Sequence, residues 1–371
     1  MKIKEIASFN PKGKKPNDYI NYVDTSSVED GKLIGLQTLS KDIPSRAQRV
    51  IEKNDILISS VRPILKHNFF VGQSIQHGVA STGFIQIRVN NSNVLPRFLY
   101  YYLTVETKVQ QYQTIAETSQ STFPSFNKDV IEEMEFPNIS LETQQHIVDI
   151  LGSIDEKIEN NNKQIIKLNQ FLCLLFNKYS KKCNDRQSLE QVCELITKGT
   201  TPTTLKKSFV DKGIDFIKVE CINDNHFIEV DKVAFIDSET HDLLNRSKLQ
   251  YKDFLISIAG TIGRFALLPR TIQQANTNQA VAILRTKVLP QEYLYAVFNS
   301  GCCDEQIKAK TVQAVQANLS LSVIRALEIP IIEDNEFLDV LKKVYSRIET
   351  IYETSLELQK LKILYLKKFF G

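Results

Sequence analysis

The sequence has 371 residues, of which 42% are hydrophobic and 24% charged, and these proportions are typical of a globular protein with two or three domains. Its formal net charge of +3 neither requires nor excludes a nucleic-acid partner, so a surface for such a partner would have to be a local patch. The six cysteines include no Cys-x-x-Cys pair and indicate a reduced, cytoplasmic chain. No apolar run approaches a membrane span, so no membrane partner is expected, and residues 1–5 lack a signal core.

Residues 1–138 have the pattern of a mixed α/β domain. Apolar runs predict strands at 19–24, 54–59 and 84–89. Residues 95–103 have the pattern of a helix. Pro96 is compatible with this prediction, because proline is tolerated near the start of a helix. Four aromatic residues on this helix could stack on bases, but their helical spacing favours the core: Phe98, Tyr100, Tyr101 and Tyr102.

The next stretch, residues 140–178, predicts the long helix around which the chain is organised. Its apolar positions are separated by alternating steps of four and three residues, which is the heptad pattern of a coiled coil. At about 1.5 Å per residue the helix would be roughly 60 Å long, so burial of its seam requires a second long helix. The seam comprises Ile147, Leu151, Ile154, Ile158, Ile165, Leu168, Leu172 and Leu175, with Asn161 as a polar interruption.

The second half of the chain repeats the first half in the same order. After a polar linker at 181–186, strand patterns return at 252–257 and 280–285, and a helix pattern with an early proline follows. A lead-in that we expect to be extended precedes each long helix, at 130–137 and at 323–330. Recurring landmarks in one order indicate a tandem duplication, and two unrelated amphipathic helices are the alternative.

The second long helix, within 333–370, is the predicted partner of the first. A buried polar residue at one seam position commonly fixes coiled-coil register, and alignment of the lead-ins places Thr354 at the repeat position of Asn161. The same alignment gives a seam whose steps fall out of alternation near its end, so a local stammer is expected. That seam comprises Val340, Val344, Ile351, Leu358, Leu361 and Tyr365.

Two long helices that each follow a similar domain can pack antiparallel, which would relate the domains by a pseudo-two-fold axis. Such an axis suits a target with two separated half-sites, and duplex DNA is the commonest target of this kind. Because the loops between the recurring landmarks differ, the two half-sites would differ in sequence.

Several stretches resemble the specificity subunit of type I restriction–modification systems, and the resemblance covers the whole chain. They are 192–202 (Val-Cys-Glu-Leu-Ile-Thr-Lys-Gly-Thr-Thr-Pro), 259–263 (Ala-Gly-Thr-Ile-Gly), 318–320 (Asn-Leu-Ser), and 144–151 with 154–158 on the first long helix. The first domain departs from this pattern, because it has Ser-Val-Arg-Pro-Ile at 60–64 and lacks the Gly-Thr-Thr-Pro phrase. The second helix has Asn335 and Glu336 where the first has a Gln pair.

Together with the duplication, the resemblance implies a mixed, α+β fold in which two globular α/β target-recognition domains are separated by two long antiparallel coiled-coil helices. The expected boundaries are 1–138 and 184–331 for the recognition domains and 139–183 and 332–371 for the helical regions. The resemblance implies a subunit without catalytic activity, cofactor or metal of its own, which binds a bipartite asymmetric target in double-stranded DNA.

The resemblance also implies the partners. Exposed flanks of the helices would dock two modification methyltransferase subunits and, through them, ATP-dependent restriction–translocase subunits. S-adenosylmethionine and ATP would then belong to these partners.

The candidate DNA-binding residues are those that could grip phosphates or read base edges. In the first domain they are Lys12, Lys14, Lys15, Arg46, Arg49, Arg62, Lys66, His67 and Asn68. In the second domain they are Lys198, Thr200, Lys206, Lys207, Arg246, Lys248, Arg264 and Asn278. Taken singly, each charged residue is more often a solvated surface group than a DNA contact. Gly260 and Gly263 could allow close approach to a phosphate or could simply form a tight turn.

The sequence contains no catalytic motif that survives inspection. It has no Gly-x-x-x-x-Gly-Lys-Ser/Thr loop and no adjacent prolines of a Pro-Pro-Tyr methyltransferase phrase. The Asp-Glu-Lys trio at 155–157 has the composition of a nuclease site, but solvated charges are ordinary on such a helix. A nuclease with an unrecognised site and a coiled-coil scaffold without a DNA role are the two alternatives.

If the helices act as a ruler, their length should set the gap in the recognised sequence. Inserting one helical turn, roughly 6 Å, into 140–178 should lengthen this gap by roughly one or two base pairs. Mapping of the methylated motif measures the gap, and an unchanged gap would contradict the ruler.

Overall fold

The computed structural model describes residues 1–29, 31–118, 124–311 and 318–371. Contacts within the chain divide it into unit 1, with residues 1–159 and 356–371, and unit 2, with residues 160–355. Each unit therefore combines one globular part with a portion of each long helix. Within the described residues, no helix has an apolar stretch of the length that crossing a membrane requires. The four domain boundaries expected from the sequence stay a prediction.

Unit 1 contains two four-stranded sheets and a short strand pair. Its strands are β1 (Ala7–Phe9), β2 (Ile20–Val23), β3 (Val28–Glu29), β4 (Lys32–Leu33), β5 (Gln37–Leu39), β6 (Ala47–Val50), β7 (Ile56–Ser59), β8 (Phe69–Phe70), β9 (Gly78–Ser81) and β10 (Phe84–Val89). Its helices are α1 (Pro96–Thr104), α2 (Glu106–Glu117), α3 (Asp129–Glu132) and the first part of α4 (Leu141–Ser180). Single 3₁₀ turns lie at Ile3–Glu5, Thr25–Ser27 and Pro63–Leu65.

The sheets of unit 1 place β7 at the centre of the fold. One sheet has the antiparallel order β1-β10-β7-β8, and the other has the order β5-β2-β9-β6, in which β2 and β9 are parallel. All four residues of β7 are buried, as its continuous apolar run predicts. Strand β7 pairs through Ile58 with Ile85 and through Leu57 with Phe69, so the loop that follows it starts from a fixed position.

Unit 2 has the corresponding elements. Its strands are β11 (Arg186–Ser188), β12 (Cys193–Lys198), β13 (Ile214–Ile217), β14 (Ala234–Ile236), β15 (Phe254–Ser257), β16 (Phe265–Leu267), β17 (Ala275–Thr277), β18 (Val281–Thr286) and β19 (Glu328–Pro330). Its helices are α5 (Leu189–Val192), α6 (Ser238–Leu243), α7 (Gln291–Asn299), α8 (Asp304–Thr311), α9 (Leu321–Arg325) and the first part of α10 (Asn335–Phe370). Its 3₁₀ turns lie at Pro202–Leu205, Val219–Cys221, Val230–Lys232 and Asn245–Ser247.

The sheet order of unit 2 repeats that of unit 1. One sheet has the antiparallel order β12-β18-β15-β16, which matches β1-β10-β7-β8. The other has the order β14-β13-β17, with β13 and β17 parallel, and this matches β5-β2-β9. The duplication inferred from the sequence is therefore a duplication of sheet topology, and the predicted mixed α/β fold is confirmed.

In unit 2 the two long helices pack antiparallel. The Nδ2 of Asn161 on α4 donates to the Oγ of Ser355 on α10 at 3.0 Å. Further along α4, the ring of Tyr179 stacks on that of Phe337, with 4.7 Å between the ring centroids. The residue numbers rise along one helix while they fall along the other, so the helices run in opposite directions.

In unit 1 the other portions of the same helices also pack together. Ile147 and Leu151 of α4 belong to a core that Tyr365 and Phe369 of α10 pack against. The Nζ of Lys362 lies 2.6 Å from the Oδ1 of Asp155.

The seam of α10 differs from the prediction at Val340 and at its polar positions. Leu341 is fully buried in the seam, whereas the predicted Val340 is only half-buried beside it. Ser355 is the buried partner of Asn161, whereas the Thr354 hydroxyl donates to the carbonyl of Thr350 at 2.8 Å, within its own helix. Leu361 is 40% exposed and lies off the seam, and Lys362 takes its place. With this correction the steps alternate regularly and no stammer is needed. The seam of α10 comprises Phe337, Leu341, Val344, Ile348, Ile351, Ser355, Leu358, Lys362, Tyr365 and Phe369.

The two lead-ins are extended only in their second parts. Helix α3 includes Val130 and Ile131, and helix α9 includes Val323 and Ile324. Helix α9 forms because the Oγ of Ser320 accepts a hydrogen bond from the Val323 amide at 3.3 Å, which is an N-cap. The expectation of an extended lead-in was therefore wrong at these residues and right for β19.

A buried ion pair precedes the central strand of each unit. The Nε and Nη2 atoms of Arg88 each donate to a carboxylate oxygen of Asp55 at 2.8 Å, and Arg285 binds Asp253 with the same two distances. The two aspartates are 0% and 1% exposed. The hydrogen bonds that the arginines donate to these aspartates raise the pKa of both arginines. Each pair links the start of β7 or β15 to its neighbouring strand.

Breaking this pair in unit 1 should destabilise the domain, because Arg88 would be left without its buried counter-ion. We expect Asp55→Asn to lower the free energy of unfolding by about 3 kcal/mol, measured by urea denaturation. The matched control is Glu52→Gln, since Glu52 binds the same arginine at 2.6 Å but its side chain is 64% exposed. That change should cost less than about 1 kcal/mol, and equal effects of the two variants would contradict this assignment.

Candidate DNA interface

The loop between β7 and β8, residues 60–68, is called loop A. Its backbone is held on two sides. The amide of Arg62 donates to the carbonyl of Pro124 at 2.9 Å, and the amide of Phe126 donates to the carbonyl of Ser60 at 3.1 Å. On the other side, the amide of Ile64 donates to the Oε1 of Gln113 on α2 at 3.1 Å. Loop A is therefore presented in a defined conformation.

The loop between β15 and β16, residues 258–264, is called loop B and occupies the equivalent place in unit 2. The amide of Leu319 donates to the carbonyl of Ile258 at 2.8 Å. Val61 in loop A forms a bridge with Ser125, and Ala259 in loop B forms the corresponding bridge with Asn318. The residues that follow these bridges, Arg62 and Gly260, are consequently equivalent.

The two loops reach similar backbone conformations with different residues. In loop B the left-handed positions are Gly260, with φ of 73°, and Gly263, with φ of 89°. A Cβ at either glycine would meet no described atom within 4 Å, so the backbone conformation and not lack of space accounts for the glycines. In loop A the left-handed positions are Arg62 and Lys66, with φ of 46° and 53°. Non-glycine residues in such regions cost on the order of 1–3 kcal/mol each.

The remaining candidates of unit 1 lie in several segments. Lys12, Lys14 and Lys15 are exposed in the connection that follows β1. Arg46 is exposed and lies 3.8 Å from Asp24. Arg49 on β6 is half-buried, and burial lowers its pKa. Its Nε finds no hydrogen-bond partner among the described residues.

Three candidates in loop A have partners inside unit 1. The Nζ of Lys66 lies 2.7 Å from the carboxylate of Glu106. The Nδ1 of His67 contacts the carbonyl of Val28. Asn68 is only 5% exposed, and its Oδ1 accepts a hydrogen bond from the Ser59 amide at 3.0 Å. Asn68 therefore closes loop A onto the end of β7.

Several candidate cations of unit 2 are paired with acidic side chains. The distances are 2.7 Å for Lys207 with Glu239, 2.8 Å for Lys248 with Asp242, and 2.7 Å for Arg264 with Asp224. The three carboxylate side chains are 72%, 74% and 80% exposed, so water screens these pairs. Lys206 and Arg246 are exposed, and Lys198 and Thr200 are half-buried.

The Lys-Gly-Thr segment of unit 2 is fixed by close backbone contact. A Cβ on Gly199 would lie 1.7 Å from the carbonyl oxygen of Thr277, so only glycine fits there. The amide of Gly199 donates to the carbonyl of Asn278 at 3.1 Å. Gln279, which the sequence did not single out, accepts a hydrogen bond from the Thr201 amide at 3.2 Å. Lys198 and Thr200 are therefore held beside Asn278.

Asp155 of the Asp-Glu-Lys trio on α4 binds side chains of two other helices, whereas Glu156 and Lys157 are exposed. Asp155 accepts a hydrogen bond from the Oη of Tyr101 at 2.7 Å and pairs with Lys362. Burial, and to a smaller extent Asp155, raises the pKa of Tyr101, so this phenol stays protonated as a donor. In the described residues, no three His, Cys, Asp or Glu side chains are placed to hold a metal ion. The carboxylate of Asp155 instead fixes α1 and α10 to α4.

The family of type I restriction modification DNA specificity domains matches the chain twice, over residues 1–170 and 184–360. The chain belongs to this family. Its function is thus DNA-sequence recognition within a type I restriction–modification system, as the sequence predicted. The two matches cover the two halves of the duplication.

Known relatives agree with this membership. The chain is 24% identical over 428 residues to the type I restriction enzyme HindI specificity subunit of Haemophilus influenzae, covering 93% of this chain and 92% of the relative. It is 29% identical over 139 residues to the MjaIX specificity subunit of Methanocaldococcus jannaschii, covering 38% of this chain and 31% of that protein. The S subunit of the type I restriction-modification system from M. genitalium has a similar fold, with a TM-score of 0.58 at 13% identity, over 100% of this chain and 95% of that one.

The close contact at Gly199 gives a test of how the second domain is built. We expect Gly199→Ala to destabilise unit 2 by more than about 3 kcal/mol, because backbone must move to admit the methyl group. The control is Gly35→Ala, since a Cβ there meets no described atom within 4 Å and its φ is not positive. Thermal unfolding of both variants measures the effect, and a Gly199→Ala protein as stable as the control would contradict the close approach.

Proposed function

We propose that the chain is a non-catalytic subunit that reads a bipartite, asymmetric target in double-stranded DNA. The observation that supports this most is the combination of a repeated framework with unlike loops. Both units share the order of one four-stranded sheet, the order of three strands of the other sheet, and the aspartate–arginine pair. Loop A nevertheless carries Arg62 and Lys66 where loop B carries glycines. One framework with two sets of loop residues suits two half-sites of different sequence.

The 17 candidate residues divide into two roles in this proposal. The exposed lysines Lys12, Lys14 and Lys15 would neutralise phosphates. Arg49 would do the same, because it is half-buried and its Nε has no hydrogen-bond partner in the described part of the chain. The acid-paired cations of both units would exchange one exposed carboxylate for the closely spaced phosphates of a duplex. The exposed residues of loops A and B would approach the bases, whereas the buried Asn68 would shape loop A.

The helices provide the proposed docking surface for two modification methyltransferase subunits. In unit 2, the face of α4 away from the seam exposes Ile166, Phe171 and Leu174 by 50%, 45% and 71%. Ile166 and Leu174 also line a groove of about 500 Å³. In unit 1, α10 exposes Ile363 and Leu364 by 53% and 64%. Apolar side chains clustered on a helix face are typical of protein interfaces.

Restriction–translocase subunits would join through the methyltransferases, and S-adenosylmethionine and ATP would be bound by these partners. The described cysteines are free thiols, and this agrees with the proposed cytoplasmic location, where thiols stay reduced. If the chain instead cleaves DNA, the purified chain alone should cut duplex DNA when Mg²⁺ is added. We expect intact DNA in that assay.

Phosphate contact by the loop after β1 can be measured through salt dependence. Affinity for duplex DNA falls as salt concentration rises, and each phosphate contact adds roughly 0.9 to the slope of log K against log salt. We expect the triple change of Lys12, Lys14 and Lys15 to Gln to reduce this slope by about 2–3. The control changes three exposed lysines of α10, namely Lys342, Lys343 and Lys360, to Gln. Equal loss of slope in both proteins would show bulk charge and not a local contact.

The docking surface can be tested separately from DNA binding. We expect Leu174→Asp and Leu364→Asp to abolish co-purification of the methyltransferase, because a buried carboxylate would be introduced into the interface. The control is Val288→Asp, since Val288 is 92% exposed and lies off the helices. Binding of the methyltransferase at wild-type strength by both helix variants would place the interface elsewhere.

A further inference from the structure

Unit 1 and unit 2 have the same short hairpin after equivalent strands. In unit 1 the hairpin joins β3 to β4, where Val28 pairs with Leu33. In unit 2 a bridge between Ile222 and Ile228 closes the corresponding hairpin. Each hairpin is preceded by a three-residue 3₁₀ turn, which follows β2 in unit 1 and β13 in unit 2. The residues that leave the two hairpins can therefore be compared position by position.

The first residue after each hairpin is anchored by the same backbone hydrogen bond. The amide of Ile34 donates to the carbonyl of Ser27 at 2.8 Å, and the amide of Glu229 donates to the carbonyl of Cys221 at 2.8 Å. Because both bonds join backbone groups, neither depends on the side chain of the donating residue. One backbone arrangement thus carries an isoleucine in unit 1 and a glutamate in unit 2.

The segment after the hairpin of unit 1, residues 34–36, is called tip C and exposes apolar side chains. Ile34 and Leu36 are 62% and 44% exposed, on either side of a glycine. The equivalent segment of unit 2, residues 229–232, is Glu-Val-Asp-Lys, in which only the valine is apolar, with 37% exposure. Single exposed apolar residues are common on proteins, but two within three residues, at a place where the other unit has charges, need a reason.

Strand geometry shows that Ile34 is not required for the core of unit 1. Successive side chains of a strand point to opposite faces. Leu33 of β4 packs against a core of unit 1, and its neighbour Lys32 is exposed. Ile34 therefore lies on the outer face with Lys32, where a polar residue would serve the fold equally well.

The hairpin that carries tip C packs against one end of loop A. The Nδ1 of His67 contacts the carbonyl of Val28. A Cβ on Gly31 would lie 3.9 Å from the carbonyl oxygen of Asn68. Tip C is consequently held beside a loop whose exposed residues are proposed to approach the bases, and Lys32 adds a cation that suits a neighbouring phosphate.

The size of the apolar surface favours a base over a protein partner. A stable protein interface buries about 800 Å² on each side and involves roughly 20–30 residues, whereas tip C offers two apolar side chains. In the major groove, the C5-methyl group of thymine is the apolar group that distinguishes one base from the others, and aliphatic side chains contact it. Two aliphatic side chains beside a lysine match a thymine next to the phosphate backbone.

We propose that Ile34 and Leu36 of tip C determine specificity by contacting the methyl group of a thymine in the half-site recognised by unit 1. Unit 2, which has a glutamate at the place of Ile34, recognises its half-site without this contact. The inference rests on the proposed function, because it assigns one base of the target to one segment of the chain.

The test uses the chain assembled with the methyltransferase of its own system, after its methylated motif has been mapped. Deoxyuridine replaces each thymine of the motif in turn, which removes the methyl group and keeps the base pair. We expect one such replacement to weaken binding of the wild-type assembly by roughly three- to tenfold, because one methyl group is no longer buried. The double variant Ile34→Ala, Leu36→Ala should bind the thymine and deoxyuridine duplexes equally at that position, with the Tm of the wild type.

The matched control is Val288→Ala, since Val288 is a more exposed apolar residue, at 92%, and lies in unit 2. This protein should keep the full wild-type response to deoxyuridine. A wild-type assembly that responds to no replacement, or a double variant that responds as strongly as the wild type, would overturn the inference. A Tm several degrees lower in the double variant would overturn it too, because the side chains would then support the fold. A wild-type assembly that directs no motif at all would instead overturn the proposed function.

Discussion

The apolar seam of a long helix cannot be buried by that helix alone, and this constraint governs both units. In unit 2 the seam of α4 meets α10, and the buried polar pair of Asn161 and Ser355 allows one register. In unit 1 the other portions of the same helices meet, with Lys362 bound to Asp155. The first turns of each helix also complete a domain core. Ile147 packs with the core of unit 1, and Phe337 and Leu341 pack with that of unit 2. Each domain is consequently built on the helix that follows it.

The two domains share the strands and backbone contacts that position the loops, and they differ in the side chains that the loops carry. Strands β7 and β15 are both fully buried, and each is preceded by an aspartate that binds an arginine of the adjacent strand. Beyond these strands, loop A and loop B share backbone anchors but differ in side chains. Duplication with divergence in the loops suits two related recognition domains with separate sequence preferences. Membership in the DNA specificity domain family, matched once in each half, agrees with this division.

The sequence was informative where apolar residues dominate and uninformative where polar residues take structural positions. The central strands and the seam of α4 follow from continuous or heptad apolar patterns. The seam of α10 was misassigned at Ser355 and Lys362 because an apolar pattern omits polar residues, and at Val340 because the neighbouring Leu341 is apolar as well. At the interface, residue type alone predicted cations but could not tell that Lys207 faces Glu239 or that Asn68 is buried. The conformation of Arg62 depends on anchors more than fifty residues away in sequence, which no local pattern contains.

If two unlike recognition domains give the restriction–modification system its DNA sequence preference, loss of this chain should remove that preference. Sequencing of methylated bases across the host genome, with and without this gene, measures this. We expect one motif of two different specified halves, separated by an unspecified gap, whose methylation disappears with the gene. Methylation that is unaffected by loss of the gene, or a motif with two identical halves, would contradict it.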